Sequence, residues 1–197
     1  MNNSIIYTDQ IVGRQQVGSE EALTIADNVV MDIPGSMVQY KQTVFQGQFT
    51  NSTASAYAQV SGLDCTIQPR LSDSLILCQW QIHASLQYYQ WDMQLRKDGS
   101  DINDAKGNPS GSRLGTTSMY NNYAGSATAF GYRMNKIGGM YLDTPGTTND
   151  ITYQIWLRGY NNSYPVYVNR SHRFLDNSGL YDDCPISTLS LWEFRPD

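Results

Sequence analysis

Charge is scarce in this chain. Asp and Glu number 18 and Lys and Arg 13, giving a net charge of −5 and a charged fraction of 16% over 197 residues, against roughly 25% in an ordinary soluble domain. No cluster of Lys and Arg is dense enough to follow a phosphate backbone, so nucleic-acid binding is not expected. Cysteine is also rare. Cys65, Cys78 and Cys184 are odd in number and form no CxxC pair, which argues against a disulfide framework or a zinc site and reads all three as reduced thiols. Long apolar runs are missing as well. No window approaches the length of a membrane span, and Met1 to Tyr7 lacks the basic and apolar regions of a signal peptide, so neither membrane insertion nor secretion is expected. The Asn-x-Ser/Thr matches at Asn51, Asn161 and Asn169 then read as chance in an Asn-rich chain.

What fills the space is Asn, Gln, Ser, Thr, Gly and 14 Tyr, with 40% apolar residues. That suits β-sheets with neutral polar outer faces. The clearest element runs from Ser74 to Ala84. Ile76, Cys78, Trp80, Ile82 and Ala84 fall on one face and Gln79, Gln81 and His83 on the other, the period-two pattern of a half-buried strand.

Residues 1–38 are poor in aromatics and hold too few large apolar side chains for a core of their own. They read as an N-terminal arm that docks on something else. Within the arm, Ser19-Glu20-Glu21 suits the start of a helix from Ala22 to Asp27. A hairpin of Leu23–Ile25 with Val29–Met31 is the rival reading. From residue 39 to 197 the pattern is nearly all β. Strands are expected at 41–49, 57–60, 63–68, 74–84, 90–96, 130–142, 151–158, 166–169 and 188–194, with a short one near 113–117 inside a long Gly- and Asn-rich stretch. Many short strands joined by turns, without a helical period, predict an all-β fold, a jelly-roll-like antiparallel β-sandwich with an extended N-terminal arm.

The last strand breaks the alternation. Leu189 and Leu191 share one face while Trp192 and Phe194 load the other. Such a strand is central between two layers, is covered by another subunit, or carries a β-bulge that returns its tail to one face. Trp156, outward on its own strand, raises the same question.

The order of short motifs from residue 39 onward resembles a β-sandwich module of tailed-bacteriophage fibres and other virion structural proteins. It is carried by Gln59-Val60-Ser61-Gly62-Leu63, Ser74-Leu75-Ile76-Leu77, Leu95-Arg96-Lys97-Asp98-Gly99, Leu142-Asp143-Thr144-Pro145, Ile151-Thr152-Tyr153, Tyr167-Val168-Asn169-Arg170-Ser171 and Ser187-Thr188-Leu189-Ser190-Leu191-Trp192-Glu193. The resemblance implies a homotrimer exposed on a virion assembled in the host cytoplasm, as a short tail fibre or a head or tail decoration protein. It implies that residues 1–38 dock to another virion protein. Trp156, Trp192 and Phe194 then become candidate trimer-interface residues. A receptor-binding tip that recognises host surface glycan is the alternative, with Tyr120, Tyr123, Tyr160 and Tyr164 as candidate stacking residues.

Chemistry is poorly represented. The two histidines are His83, on the polar face of its strand, and His172. Ser171, His172 and Asp176 supply the residue types of a hydrolytic triad, but no nucleophile elbow surrounds them. Asp101-Ile102-Asn103-Asp104 lacks the Gly and terminal Glu of a calcium loop. No catalytic residue, metal or cofactor is expected.

Overall fold

The computed structural model describes residues 15–17, 20–22, 34–53, 55–86, 89–122, 134–159, 163–174 and 182–196. Contacts divide the chain into two units, Met1–Met31 and Asp32–Asp197. In the first, β1 (Gln15–Val17) pairs antiparallel with β2 (Glu20–Ala22). Glu20–Ala22, where one of the two readings of this segment starts a helix, is therefore a strand. Antiparallel pairing with Gln15–Val17 takes up backbone groups that a helix starting at Glu20 would use. The alternative hairpin at residues 23–31 lies outside the described residues.

The second unit is built from β3 (Met37–Phe45), β4 (Phe49–Asn51), β5 (Ala58–Ile67), β6 (Leu75–Ser85), β7 (Tyr89–Lys97), β8 (Ser100–Asp101), β9 (Ser118–Asn122), β10 (Asn135–Asp143), β11 (Ile151–Gly159), β12 (Val166–Val168) and β13 (Ser187–Phe194). One turn of 3₁₀-helix spans Asn103–Ala105. Every strand pairing among the described residues is antiparallel.

Two sheets result. In the first, β10 lies along one edge of β6, with β13 and β12 end to end along the other; β3 and β4 flank that pair. In the second, β5, β11 and β7 run side by side, and β8 and β9 share the far edge of β7. Counting collinear strands as one row, the first sheet takes rows one, eight, three and six of the chain, and the second takes rows two, seven, four and five. That is the strand order of a jelly roll. It follows from successive rows crossing between two layers that each need an apolar inner face. The core lies between the sheets, where Leu63, Ile76, Ile82, Trp91, Met93, Leu95, Tyr153, Ile155, Leu157 and Leu189 are almost fully buried. Each such aliphatic side chain contributes roughly 1.5–3 kcal/mol.

Several boundaries differ from expectation, each for a local reason. The strand expected at 41–49 breaks into β3 and β4. At the bend, the Asn169 side-chain amide donates to Phe45 O (2.8 Å) and Gly47 O (2.9 Å), replacing sheet hydrogen bonds. β3 also begins at Met37, inside the segment that composition assigned to the arm. Its approach is tied down by Gly35 N–H donating to Arg195 O and by Arg195 N–H donating to Ser36 O. The strands expected at 57–60 and 63–68 are one bulged strand, β5. The pairing with β11 shifts between Gln154 and Trp156, and Gly62 takes φ +87°, a conformation that favours glycine. The short strand expected near 113–117 forms later, as β9. Thr116 Oγ1 donates to Met93 O, and Thr117 Oγ1 accepts from Leu95 N–H, so threonine hydroxyls occupy the edge of β7 before strand pairing starts at Ser118. The turn at Asp98-Gly99 forms as expected, with φ of +50° and +79°, the left-handed pair of a two-residue hairpin.

Candidate interaction face

The outer face of the first sheet is where the doubly apolar last strand finds its explanation. β13 stays in register with β6 through Phe194↔Leu75. Leu189, Leu191 and Glu193 point inward and are buried, while Trp192 and Phe194 point outward and are half-buried. The only irregularity lies in the pairing with β3, between Glu193 and Phe194, where β3 supplies the extra residue. The bulge therefore does not return the tail of β13 to one face.

Registers across the sheet set Leu142, Leu77, Trp192 and Tyr40 in one row. Leu75, Phe194 and Met37 form the next row. Met140 flanks the first. The Tyr40 and Trp192 rings meet at 4.3 Å between centroids, tilted by 47°, within the range of favourable aromatic pairs. Exposure reaches 66% at Met140, 53% at Met37, 50% at Leu142 and 41% at Tyr40. Nine large apolar side chains are exposed among the described residues, and five of them, these four and Val44, stand on this one face.

The polar middle of the face carries Gln42, Gln79, Gln81, Thr188 and Ser190 around a shallow depression of about 460 Å³. Gln42 Nε2 donates to Ser190 Oγ (3.0 Å). Gly138 and Gly139 of β10 both border it. At Gly139 a Cβ would sit 2.6 Å from the Trp80 ring, so the glycine is what lets Trp80 pack beneath that strand. Across β3, β13, β6 and β10, the one formally charged outward side chain among the described residues is Lys136, beside His83 at the end away from Trp192 and Phe194. His83 directs Nδ1 at Ile186 O, 2.7 Å away.

The end of β13 that carries Trp192 is anchored from inside. Glu193 is fully buried and accepts from Gln39 Nε2 (2.5 Å), Arg70 N–H (2.7 Å) and Ser74 Oγ (2.5 Å). Nearby in chemistry but at another corner, Asp143 accepts from Tyr153 O–H (2.6 Å) and pairs with Lys97 Nζ (2.8 Å). Burial, reinforced by the Asp143 carboxylate, pushes the Tyr153 hydroxyl far above its ordinary range, so it acts as a donor at any working pH.

Trp156 lies on the outer face of the other sheet. There the Arg96 guanidinium sits 4.2 Å from its ring, and Arg158 stacks on Tyr57 (5.0 Å) and pairs with Asp92. This face is charged and internally paired, and Trp156 does not join Trp192 and Phe194. Of the tyrosines, Tyr120 stacks on Trp91 at 6.3 Å and Tyr164 meets Tyr89 edge-on at 5.3 Å. Both pack against the core. Tyr123 and Tyr160 lie outside the described residues. Ser171 donates its hydroxyl to Asp182, which also holds Arg173 (2.7 Å), and accepts from Phe174 N–H (2.9 Å). The His172 ring instead meets Tyr167 at 5.5 Å, and Asp176 lies outside the described residues. No group of three or more His, Cys, Asp and Glu side chains suited to a metal occurs among the described residues. Cys65 and Cys78 are buried free thiols and Cys184 an exposed one.

Tyr40, Leu75, Leu77, Met140 and Leu142 belong to this face and are not among the residues that sequence reasoning named for it. A signal existed: Leu75 and Leu77 fall on the same strand face as Gln79, Gln81 and His83, the same double loading that singled out β13. Comparison with protein-family models and with curated proteins finds no match.

Proposed function

We propose that this protein is a structural component of a phage virion, a short tail fibre or a head or tail decoration protein, whose jelly roll is displayed as a homotrimer. In this reading the N-terminal segment, 1–38 by composition and shortened by the start of β3 and its approach, docks to another virion protein. The supporting observation is where the resemblance motifs fall on the fold. Gly62 makes the bulge of β5, Asp98-Gly99 the hairpin after β7, and Asp143 the brace onto Tyr153 and Lys97. Asn169, at φ +57°, satisfies the carbonyls at the β3–β4 bend, and Glu193 anchors the end of β13. The motif residues are thus the corners and buried polar braces that a jelly roll of this strand order requires, so their shared order carries structural content.

The uncharged apolar face around Trp192 and Phe194 adds the need for a covering partner, which trimer assembly supplies. The role is mechanical, presenting several copies of the loops at one end of the sandwich so that weak single contacts gain by avidity. Recognition of a host glycan has no observation of its own: Tyr120 and Tyr164 pack against the core, and Tyr123 and Tyr160 lie outside the described residues. Light scattering on the full-length protein tests the reading. Three chains of 22.2 kDa give about 67 kDa, and a stable 22.2 kDa species would overturn the trimer.

A further inference from the structure

We infer that a second copy of this chain covers the apolar end of the outer face formed by β3, β13, β6 and β10, around Tyr40, Leu77, Leu142, Trp192 and Phe194. This rests on the trimer reading and assigns its contact to one surface.

Area gives the first argument. The four most exposed side chains of the patch, with the half-buried Leu75, Leu77, Trp192 and Phe194, present on the order of 500 Å² of apolar surface. That is the upper end of what a monomer tolerates. It approaches the roughly 800 Å² per partner of a standard stable interface once the neighbouring glutamines are included.

Charge gives the second. Each copy carries −5, so most approaches between copies bring like charges together. Among the outward-facing side chains of these four strands the single formal charge within the described residues is Lys136, and it stands at the opposite end from Phe194; Lys41, Asp143 and Glu193 lie on the inward side of their strands. A second copy can therefore meet the apolar end without burying an unpaired charge. The other sheet does not offer this, because the Arg96, Arg158, Asp92 and Asp101 side chains occupy its outer face in internal pairs. A foreign partner with a charged surface would find nothing here to complement it.

Three full-length variants make the test. Met140→Glu combined with Leu142→Glu places two acids at half-exposed positions of the face, where the fold tolerates them. Tyr40→Lys probes the same row from its other end. Met119→Glu, at a 51% exposed position of β9 in the second sheet, is the control. Each is weighed by light scattering over a dilution series, with near-ultraviolet circular dichroism to establish folding. The expected result is wild type and Met119→Glu at about 67 kDa and both face variants folded at 22.2 kDa, a threefold fall in mass. Folded face variants that keep the wild-type mass would overturn the placement and leave the trimer standing. Dissociation of the control together with the face variants would overturn it too. A wild type that is monomeric throughout would overturn this inference and the trimer together.

Discussion

Replacing Glu193 by Gln should cost this protein stability out of proportion to the single atom changed. The carboxylate is fully buried, its Oε1 accepting from Arg70 N–H and Ser74 Oγ and its Oε2 from Gln39 Nε2. An amide can keep oxygen at only one of the two positions. If it keeps the site facing Arg70 and Ser74, its NH₂ confronts the NH₂ of Gln39. Gln39 cannot turn over without harm, because the same nitrogen donates to Gln68 O at 2.6 Å, and flipping would set two carbonyl oxygens against each other. One charge-assisted hydrogen bond is therefore lost outright, worth about 1.5–3 kcal/mol. For a chain of this length that corresponds to a fall in Tm of roughly 3–12 °C. Urea unfolding of wild type and Glu193→Gln at pH 7, monitored by tryptophan fluorescence, reads it directly as a lower midpoint at unchanged slope. A loss under about 0.5 kcal/mol, below the range for hydrogen bonds to charged groups, would refute the idea that the three donors hold the Glu193 side chain in place.

Asp92 and Asp101 both pair with arginine, but with 5% and 37% of the side chain exposed respectively. Removing Asp92 breaks the pair whose carboxylate is almost fully buried and should cost about 3 kcal/mol or more. Asp101→Ala gives up partly exposed pairs with Arg96 and Lys106, leaves Arg96 its hydrogen bonds to Gln94 Oε1, and should cost under about 1 kcal/mol, as read by thermal melts of each variant. His172 is held below its ordinary pKa of 6.5 by burial and then by the Arg170 charge. The unfolded chain therefore binds a proton that the folded chain refuses, and stability should fall as pH drops below about 6.5. Comparing unfolding midpoints at pH 7.5 and 5.5 for wild type and His172→Gln checks this, and an equal pH dependence in both would exclude His172 as the source.

The alternation of β6, β7 and β11, the Asp98-Gly99 hairpin and the all-β class were legible because a period of two and a left-handed turn are written in adjacent residues. Both faces of β13 were legible for the same reason. Whether the outer one joins a larger apolar patch was not, because a sandwich of two layers leaves every strand a second face, and only registers across four strands decide it. Tyr40, Leu77 and Leu142 are each separated from Trp192 by long stretches of chain, and only strand pairing puts them in one row. Trp156 and Trp192 look equivalent in the sequence, both aromatic and both outward. The topology separates them to opposite faces and gives Trp156 an arginine to stack on. Tyr120 and Tyr164 fall in loop-like sequence, yet neighbours distant in the chain draw them against the core.

By itself, then, the sequence determined the long alternating strands β6, β7, β11 and β13, which side of each faces inward and the turn at Asp98-Gly99, since those depend on local periodicity and on the backbone freedom of glycine and its neighbours. Only the tertiary structure decided which outward side chains stand together and which buried carboxylates find donors. Those outcomes depend on residues that meet solely because antiparallel pairing aligns distant strands.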